Sequence, residues 1–216
     1  MFTKSNRNLW LLSWVSFFNE IASQMVYPLI PKFLVSLGAT PAAIGLIEGI
    51  AEATAAFFKS ISGWLSDRWG KRRGFIFVGY LLAGIAKPIL YLATNWGHVL
   101  GLRFTDRMGK AVRGPARDAL LSASVDKKQK GKYFGIQRAM DRGGAILGPL
   151  IALGILTLPA GNLRIVFFLA AIPAALSLLF IPFLKEINPN DNRAPKADGG
   201  VSPFRSKAFK TFFFAN

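Results

Sequence analysis

Charged side chains recur every three or four residues in an otherwise apolar stretch that ends near Val125. On an α-helix, residues at this spacing share one face, and Phe104, Met108 and Val112 would lie on the opposite face. The charged face comprises Arg103, Asp106, Arg107, Lys110, Arg113, Arg117 and Asp118. Side chains of these types can form ion pairs, load and release protons, or bind a charged solute.

Four other apolar stretches carry polar side chains that would also share a helix face. These faces comprise Ser13, Ser16, Glu20, Gln24 and Tyr27 in the first; Glu48, Glu52, Lys59 and Ser66 in the second; Tyr80 and Lys87 in the third; and Arg138, Asp141 and Arg142 in the fifth. A bundle of such helices would turn these faces toward a shared polar interior.

Six apolar segments near 20 residues long must position these side chains, and each is long enough to cross a bilayer. They run over about 9–37, 41–65, 74–94, 99–125, 133–158 and 163–184. Hydrophobic residues make up 52% of the chain and charged residues 18%, which excludes disorder and is unusual for a soluble domain. The composition therefore predicts an all-α integral membrane protein that spans the bilayer several times.

The net charge of +16 would, by itself, also suit a nucleic-acid binder. The basic residues are concentrated in alternate connections, however, whereas the other connections carry only Lys32 and Arg164. This asymmetry predicts a cytoplasmic N-terminus in the cytoplasmic (inner) membrane and no nucleic-acid partner. A cleaved signal peptide is the competing interpretation of the N-terminus, but the first apolar segment is too long and contains Asn19 and Glu20.

Enzymatic signatures are missing from the sequence. There is no metalloprotease, nucleophile-elbow or P-loop pattern, and no Cys to serve as a nucleophile or metal ligand. His98, the only histidine, falls in a short connection where a surface role is expected. We therefore predict no catalysis, no metal and no cofactor. A channel is disfavoured as well, because no segment resembles a selectivity filter.

The connection after the second segment contains a distinctive pattern of glycines, one acid and several basic residues. It reads Gly63-Trp64-Leu65-Ser66-Asp67-Arg68-Trp69-Gly70-Lys71-Arg72-Arg73. This resembles the loop signature of the major facilitator superfamily, G-x-L-x-D-R-x-G-R/K-R/K, at every defined position and in the expected place. The resemblance implies a gating motif made of Gly63, Leu65, Asp67, Arg68, Gly70, Lys71 and Arg72. Asp67 is expected to pair with an arginine of a neighbouring helix.

Two weaker patterns agree with this family. Arg103-x-x-Asp106-Arg107-x-Gly109 is similar to the fourth-helix motif R-x-x-Q-G-x-G, with Asp and Arg in place of Gln and Gly. Gly144-x-x-x-Gly148-Pro149-x-x-Ala152 is similar to the fifth-helix motif of the antiporter branch, although Ala152 replaces a glycine. A simple small-residue helix contact also explains the two glycines. The resemblances together cover residues 9–184.

Depth in the membrane divides the polar residues into two groups. Residues near the cytoplasmic ends are predicted to form a gating network of Arg113, Arg117, Asp118, Arg138, Asp141 and Arg142. Residues nearer the centre are the predicted substrate and coupling residues, because such carriers bind near the midplane. These are Asn19, Glu20, Gln24, Tyr27, Glu52, Lys87, Arg103, Asp106, Arg107 and Lys110. Structural ion pairs are the competing explanation for any one of them.

We therefore expect the six-helix N-terminal half of a major facilitator carrier over 1–184, a cytoplasmic linker over 185–205 and the start of a seventh helix over 206–216. The expected activity is ion-driven transport of a small solute, with proton-coupled efflux favoured by the Gly148-Pro149 pattern. Uptake or exchange of an organic anion is an alternative, because basic groups outnumber acidic groups within the segments. A non-transporting six-helix module is another. The partners would be the solute, a coupling ion, the lipid bilayer and a C-terminal half of the same protein.

Overall fold

The computed structural model describes residues 7–187, and this part of the chain is helical without any strand. The connections between the apolar segments are short, so consecutive segments run antiparallel to one another. The helices are α1 (Arg7–Val26), α2 (Ile30–Ser36), α3 (Pro41–Trp69), α4 (Arg72–Ile89), α5 (Trp96–Ser124), α6 (Lys130–Leu156), α7 (Leu163–Leu169) and α8 (Ala171–Phe180). Single 3₁₀ turns lie at Tyr27–Leu29, Leu90–Leu92, Lys127–Gln129 and Ile181–Phe183.

The first and sixth predicted segments are interrupted rather than continuous. The 3₁₀ turn at Tyr27–Leu29 separates α1 from α2, and it contains Pro28 and precedes Pro31. Each proline lacks the N–H that would bond to the carbonyl four residues earlier, so the helix tightens at this point. Pro173 has the same effect near the junction of α7 and α8 at Ala170. The fifth segment begins earlier than predicted, because Lys130 opens α6.

Four helical segments of the described chain are long and apolar enough to cross a membrane, judged by length and composition. They are Pro41–Trp69, Arg72–Leu92, Lys130–Leu156 and Leu163–Phe183. The interrupted α1 and the polar α5 are not among them, and these two helices carry most of the polar residues described below. The fold is an all-α membrane bundle.

The bundle has a polar middle between two apolar clusters. The helix pairs with the most extensive contacts are α1 with α6, α4 with α5, and α3 with α5. One cluster, which includes Leu9, Ile76 and Leu121, lies at the end that carries the turn from Trp69 to Arg72, named here the motif end. The other, which includes Phe33 and Phe167, lies at the opposite, far end.

The start of the predicted linker is bound to the bundle. Lys185 and Asn8 exchange two hydrogen bonds, with the Lys185 N–H 3.0 Å from Asn8 Oδ1 and Asn8 Nδ2 2.9 Å from the Lys185 carbonyl oxygen. The Glu186 carboxylate accepts the N–H groups of Arg72 and Arg73 at 3.0 and 2.9 Å, which caps the first turn of α4. The rest of the predicted linker, and the predicted seventh helix over 206–216, lie outside the described residues.

Candidate functional site

A buried ion pair joins α4 and α5 in the polar middle of the bundle. Lys87 Nζ lies 3.1 Å from Asp106 Oδ1, and the two side chains are only 1% and 4% exposed. Lys87 Nζ also donates to the Ala83 carbonyl oxygen at 2.8 Å. A buried ion pair adds little stability compared with apolar packing, because both charges lose their hydration. Its presence therefore suggests a role other than stability.

Tyr27 connects this ion pair to the break in the first helical segment. The Tyr27 hydroxyl donates to Asp106 Oδ2, so both carboxylate oxygens of Asp106 are bonded. The Tyr27 ring lies beneath the guanidinium groups of Arg103 and Arg107, whose Cζ atoms are 4.6 and 5.2 Å from its centroid. Val26, Tyr27, Lys87, Arg103 and Asp106 line a small space at this point. Five predicted substrate or coupling residues thus meet here, because Tyr27 contacts Arg103, Asp106 and Arg107, and Asp106 contacts Lys87.

Two further ion pairs join α3 to α5. Arg103 forms two bonds to the Glu48 carboxylate, one of them from Nε to Oε1 at 3.0 Å. Arg107 Nη2 lies 2.8 Å from Glu52 Oε1. Glu52 was among the predicted site residues but Glu48 was not, although the two lie four residues apart on one face. That spacing was the available signal, and the rotation of α3 against α5 decides which arginine each carboxylate meets.

Two predicted residues of α1, Glu20 and Gln24, lie at the contact with α6. Gln24 Nε2 donates to Glu20 Oε1 at 2.8 Å. Asn19 is buried, and its Oδ1 has no hydrogen-bond partner among the described residues. Lys110 is exposed on α5. The structure therefore brings Tyr27, Lys87, Arg103, Asp106 and Arg107 together, with Glu52 bound to Arg107, whereas Glu20 and Gln24 contact each other at α6.

The predicted gating motif forms the turn between α3 and α4. Gly70 ends α3 with φ of 65°, a left-handed conformation that favours glycine, and its N–H bonds to the Ser66 carbonyl oxygen. Arg72 Nη2 lies 3.3 Å from Asp67 Oδ1, so the arginine that pairs with Asp67 is the first residue of α4. Arg68 stacks on Trp64, Lys71 is exposed and Leu65 is half-buried.

Gly63 and Pro115 bring α3 and α5 close together near this turn. A Cβ atom at position 63 would lie 3.3 Å from Pro115 Cβ. A larger side chain at position 63 would therefore press against Pro115.

Part of the predicted gating network is assembled near the motif end. Arg117 Nε lies 3.1 Å from Asp118 Oδ1, and Arg138 Nη2 lies 4.0 Å from Asp118 Oδ2. Within the described chain, Asp141 and Arg142 form no ion pair closer than 4 Å. The structure thus connects α5 to α6 through Asp118. Asp141 and Arg142, the other predicted network residues of α6, lie outside this contact.

Three uncharged residues that were not predicted as site residues connect the network to α1 and α4. Arg117 Nη1 and Gln137 Nε2 both donate to Ser16 Oγ, at 3.3 and 3.0 Å. Ser16 Oγ and the Tyr80 hydroxyl are 3.4 Å apart. Ser16 and Tyr80 were visible in the sequence on polar helix faces. Gln137 carried no such signal, because it belongs to no charged pattern.

The fifth-helix glycines form a close contact between α1 and α6. A Cβ at Gly148 would lie 2.7 Å from Gln24 Cβ, and one at Gly144 would meet the Phe17 backbone. Only hydrogen fits at these positions, as in other small-residue helix contacts. Pro149 follows within α6 without ending it. The glycines therefore have a packing role in this structure.

A family model and curated relatives indicate the same family for this chain. The family model described as Major Facilitator Superfamily matches residues 12–216. An uncharacterized MFS-type transporter of Methanocaldococcus jannaschii is 34% identical over 189 residues, which cover 87% of this chain and 47% of that protein. The quinolone resistance protein NorA of Staphylococcus aureus is 25% identical over 144 residues, 67% of this chain and 37% of NorA.

Solved structures share the fold. The human organic anion transporter MFSD10 aligns with a TM-score of 0.73 at 19% identity, over 99% of this chain and 56% of that one. A POT family transporter aligns with a TM-score of 0.74 at 20% identity, over 97% of this chain and 43% of that one. The chain spans about half, or less, of the length of the curated relatives described above.

Proposed function

The chain belongs to the major facilitator superfamily, and on that premise we propose that it forms the N-terminal half of a secondary active transporter. The transporter would move a small solute across the cytoplasmic membrane by alternating access, with the solute near the midplane between two halves. The orientation would place the N-terminus and the motif end in the cytoplasm. The basic residues Arg68, Lys71, Arg72 and Arg73 at that end support this orientation.

The buried Lys87–Asp106 pair with Tyr27 is the observation that carries this proposal. Asp106 lies ten residues into the 29-residue helix α5, about 15 Å along a helix of about 43 Å. It is therefore far from both ends of the bundle. An ionisable pair at such depth is expensive in a membrane protein and is typical of ion or substrate pathways.

Proton-coupled efflux is the form of transport that we propose. A proton on Asp106 would neutralise the carboxylate, weaken its bond to Lys87 and change the partner of the Tyr27 hydroxyl. Such a local change can bias two conformations only if each holds the proton with a different affinity. The Gly148-Pro149 pattern and the similarity to NorA, a quinolone resistance protein, support export as the direction. Glu20 is the second candidate for the coupling carboxylate.

The motif end would act as the inner gate. The Asp67–Arg72 pair and the contacts of Asp118 with Arg117 and Arg138 would close the cytoplasmic side in one conformation. Uptake or exchange of an organic anion stays an alternative to efflux, and Arg113, which has no carboxylate oxygen within 4 Å among the described residues, favours an anionic solute. A non-transporting module is the alternative to both.

Transport by the full-length protein in proteoliposomes tests the proposal. The vesicles carry an imposed pH gradient and a panel of small solutes that includes a quinolone, and internal solute is quantified by mass spectrometry. We expect concentrative transport that an uncoupler abolishes. Asp106→Asn should lower the concentrative rate at least tenfold, because the variant carboxamide cannot carry the proton.

Asp126→Asn is the matched control, because it makes the same chemical change at an exposed residue of the motif end. Concentrative transport that persists with an uncoupler would contradict proton coupling. An unchanged pH dependence in both Asp106→Asn and Glu20→Gln would contradict the assignment of the coupling residue.

A further inference from the structure

Some basic residues on the polar face of α5 have an acidic ion-pair partner, and others do not. Arg103 pairs with Glu48, Arg107 pairs with Glu52, and Arg117 pairs with Asp118. Lys110 and Arg113 lie between these pairs. Neither has a carboxylate oxygen within 4 Å in the described part of the chain. Two positive charges at the centre of α5 thus lack an ion-pair partner.

Arg113 is only 6% exposed, so water does not compensate its charge. Its Nη1 is 3.4 Å from the Gly79 carbonyl oxygen, and its Cζ lies 4.5 Å from the centroid of the Tyr80 ring. A carbonyl dipole and a ring face attract a guanidinium, but they supply no negative charge. A buried cation in this situation favours any anion that can reach it.

Lys110 lies one turn before Arg113 on the same face of α5, and unlike Arg113 it is exposed. It is the middle residue of this 29-residue helix, and Arg113 lies about 5 Å further along the axis. The two charges are therefore near the depth at which carriers of this family bind their solutes. An anion could approach the exposed lysine first and the buried arginine beyond it.

Most of the nearby carboxylates already have other partners. Asp106 is bonded to Lys87 and Tyr27, Glu52 to Arg107, and Glu20 to the amide of Gln24. None of them lies within ion-pair distance of Lys110 or Arg113. These carboxylates and Asp141 attract Lys110 or Arg113 only from beyond ion-pair distance, so neither residue has a direct carboxylate partner within the described part of the chain.

We propose that Lys110 and Arg113 form a binding site for the anionic group, a carboxylate or a phosphate, of the transported solute. This inference rests on the proposed transport function and specifies the substrate class. Arg113 supplies planar, directional donors that suit an oxyanion, and Lys110 supplies a second point charge at the entrance to the site.

Binding of three probes of matched shape tests the charge of the ligand. Full-length protein in detergent is titrated with benzoate, benzamide and benzamidinium, and with inorganic phosphate, while its thermal unfolding temperature is recorded. Benzoate or phosphate should raise this temperature in a saturable manner, because a ligand stabilises the folded state that binds it. Benzamide and benzamidinium should have no such effect. The relative response to benzoate and phosphate distinguishes a carboxylate site from a phosphate site.

Charge removal tests the residues. Lys110→Gln and Arg113→Gln should each weaken anion binding at least tenfold, and Arg113→Lys should weaken it less. Lys132→Gln, at an exposed lysine of the first turn of α6, is the control and should bind as the unmodified protein does. Because Arg113 is buried and its variants could unfold, the exposed Lys110 provides an independent test.

Each outcome bears on one proposal. Equal anion affinity in Lys110→Gln and the unmodified protein, or no response to any anionic probe, would overturn the anion site. Binding of benzamidinium alone, in a protein that still transports solutes, would overturn the anion site and leave the transport proposal standing. Anion binding that Lys110→Gln weakens, in a protein that moves no solute, would leave the site standing and contradict transport.

Discussion

At the scale of single residues, Asp106 is the residue on which most of the polar contacts converge. One of its oxygens faces Lys87 from α4, and the other accepts the hydroxyl of Tyr27 from the break after α1. A change in the charge of Asp106 would therefore act on two other helical elements at once. Of these two partners, Tyr27 is the better residue for testing the role of this contact, because it lies where the first helical segment is already interrupted.

Tyr27→Phe removes the hydroxyl and keeps the aromatic ring. The ring can still lie beneath Arg103 and Arg107, so helix packing should be preserved. A hydrogen bond to a charged group contributes about 1.5–3 kcal/mol. We therefore expect concentrative transport to fall roughly tenfold or more, while solute affinity changes less than threefold.

Parallel measurements of solute binding and of transport driven by a pH gradient check this expectation. Tyr91→Phe is the control, because the Tyr91 side chain is exposed and contacts Phe168 through its ring. If Tyr27→Phe transports as fast as the control variant, the hydroxyl has no role in coupling.

The partners of the site residues were harder to predict than the residues themselves. Helical spacing identified the polar faces of α3, α4 and α5, because that spacing is a local property of the sequence. The pairing of Arg103 with Glu48 depends on how α3 and α5 are rotated against each other. For the same reason, the contact of Gln137 with Ser16 across 121 residues left no trace in either local pattern.

At the scale of helices, the contact between α1 and α6 depends on two glycines. Gly144 and Gly148 lie one turn apart, and each faces the backbone or Cβ of an α1 residue. This spacing was recognised in the sequence as a family pattern. Its packing role follows from the geometry alone. The association of the pattern with export stays a prediction.

Gly148→Ala should destabilise the bundle by about 1–3 kcal/mol, the usual cost of overpacking a tight contact. The added methyl group would lie 2.7 Å from Gln24 Cβ, and 2.8 Å from the Ile21 carbonyl oxygen. Gly154→Ala is the control on the same helix, where a Cβ would have no neighbour within 4 Å. Reversible unfolding in a denaturing detergent gives both free energies. Equal stability of the two variants would show that the α1–α6 contact is not tight.

The N-terminus of α4 shows why some helix termini cannot be predicted from the local sequence. Its first N–H groups are bonded to the Glu186 carboxylate, which comes from more than 110 residues later in the chain. A negative charge at a helix N-terminus is favourable because it interacts with the aligned peptide dipoles. The local sequence at Lys71 offers no side-chain cap. The composition after Leu184 indicated a linker, and only the fold reveals that its first residues bind the gating motif.

At the scale of the whole molecule, one side of the polar interior carries charged side chains that the described helices leave exposed. Glu52 is 61% exposed although it pairs with Arg107, and Lys110 is exposed at the middle of α5. Large apolar side chains such as Leu46, Phe57 and Trp64 are exposed on the same helix as Glu52. The aligned residues cover 47% of the Methanocaldococcus relative. In the two-half arrangement proposed above, the second half would cover this surface.

The 216-residue chain by itself is therefore expected to enter the membrane without transporting solute. A charged side chain at the centre of a bilayer costs at least about 2.5–3.5 kcal/mol, so the uncovered charges of α3 and α5 should drive self-association or degradation. The chain is expressed in vesicles alone and together with the C-terminal half of a full-length relative. Supply of the second half should yield a stable complex and measurable solute transport. A monomeric, stable and transport-competent chain without the second half would contradict the two-half mechanism, because it would show that one set of polar helix faces is enough to enclose and carry a solute.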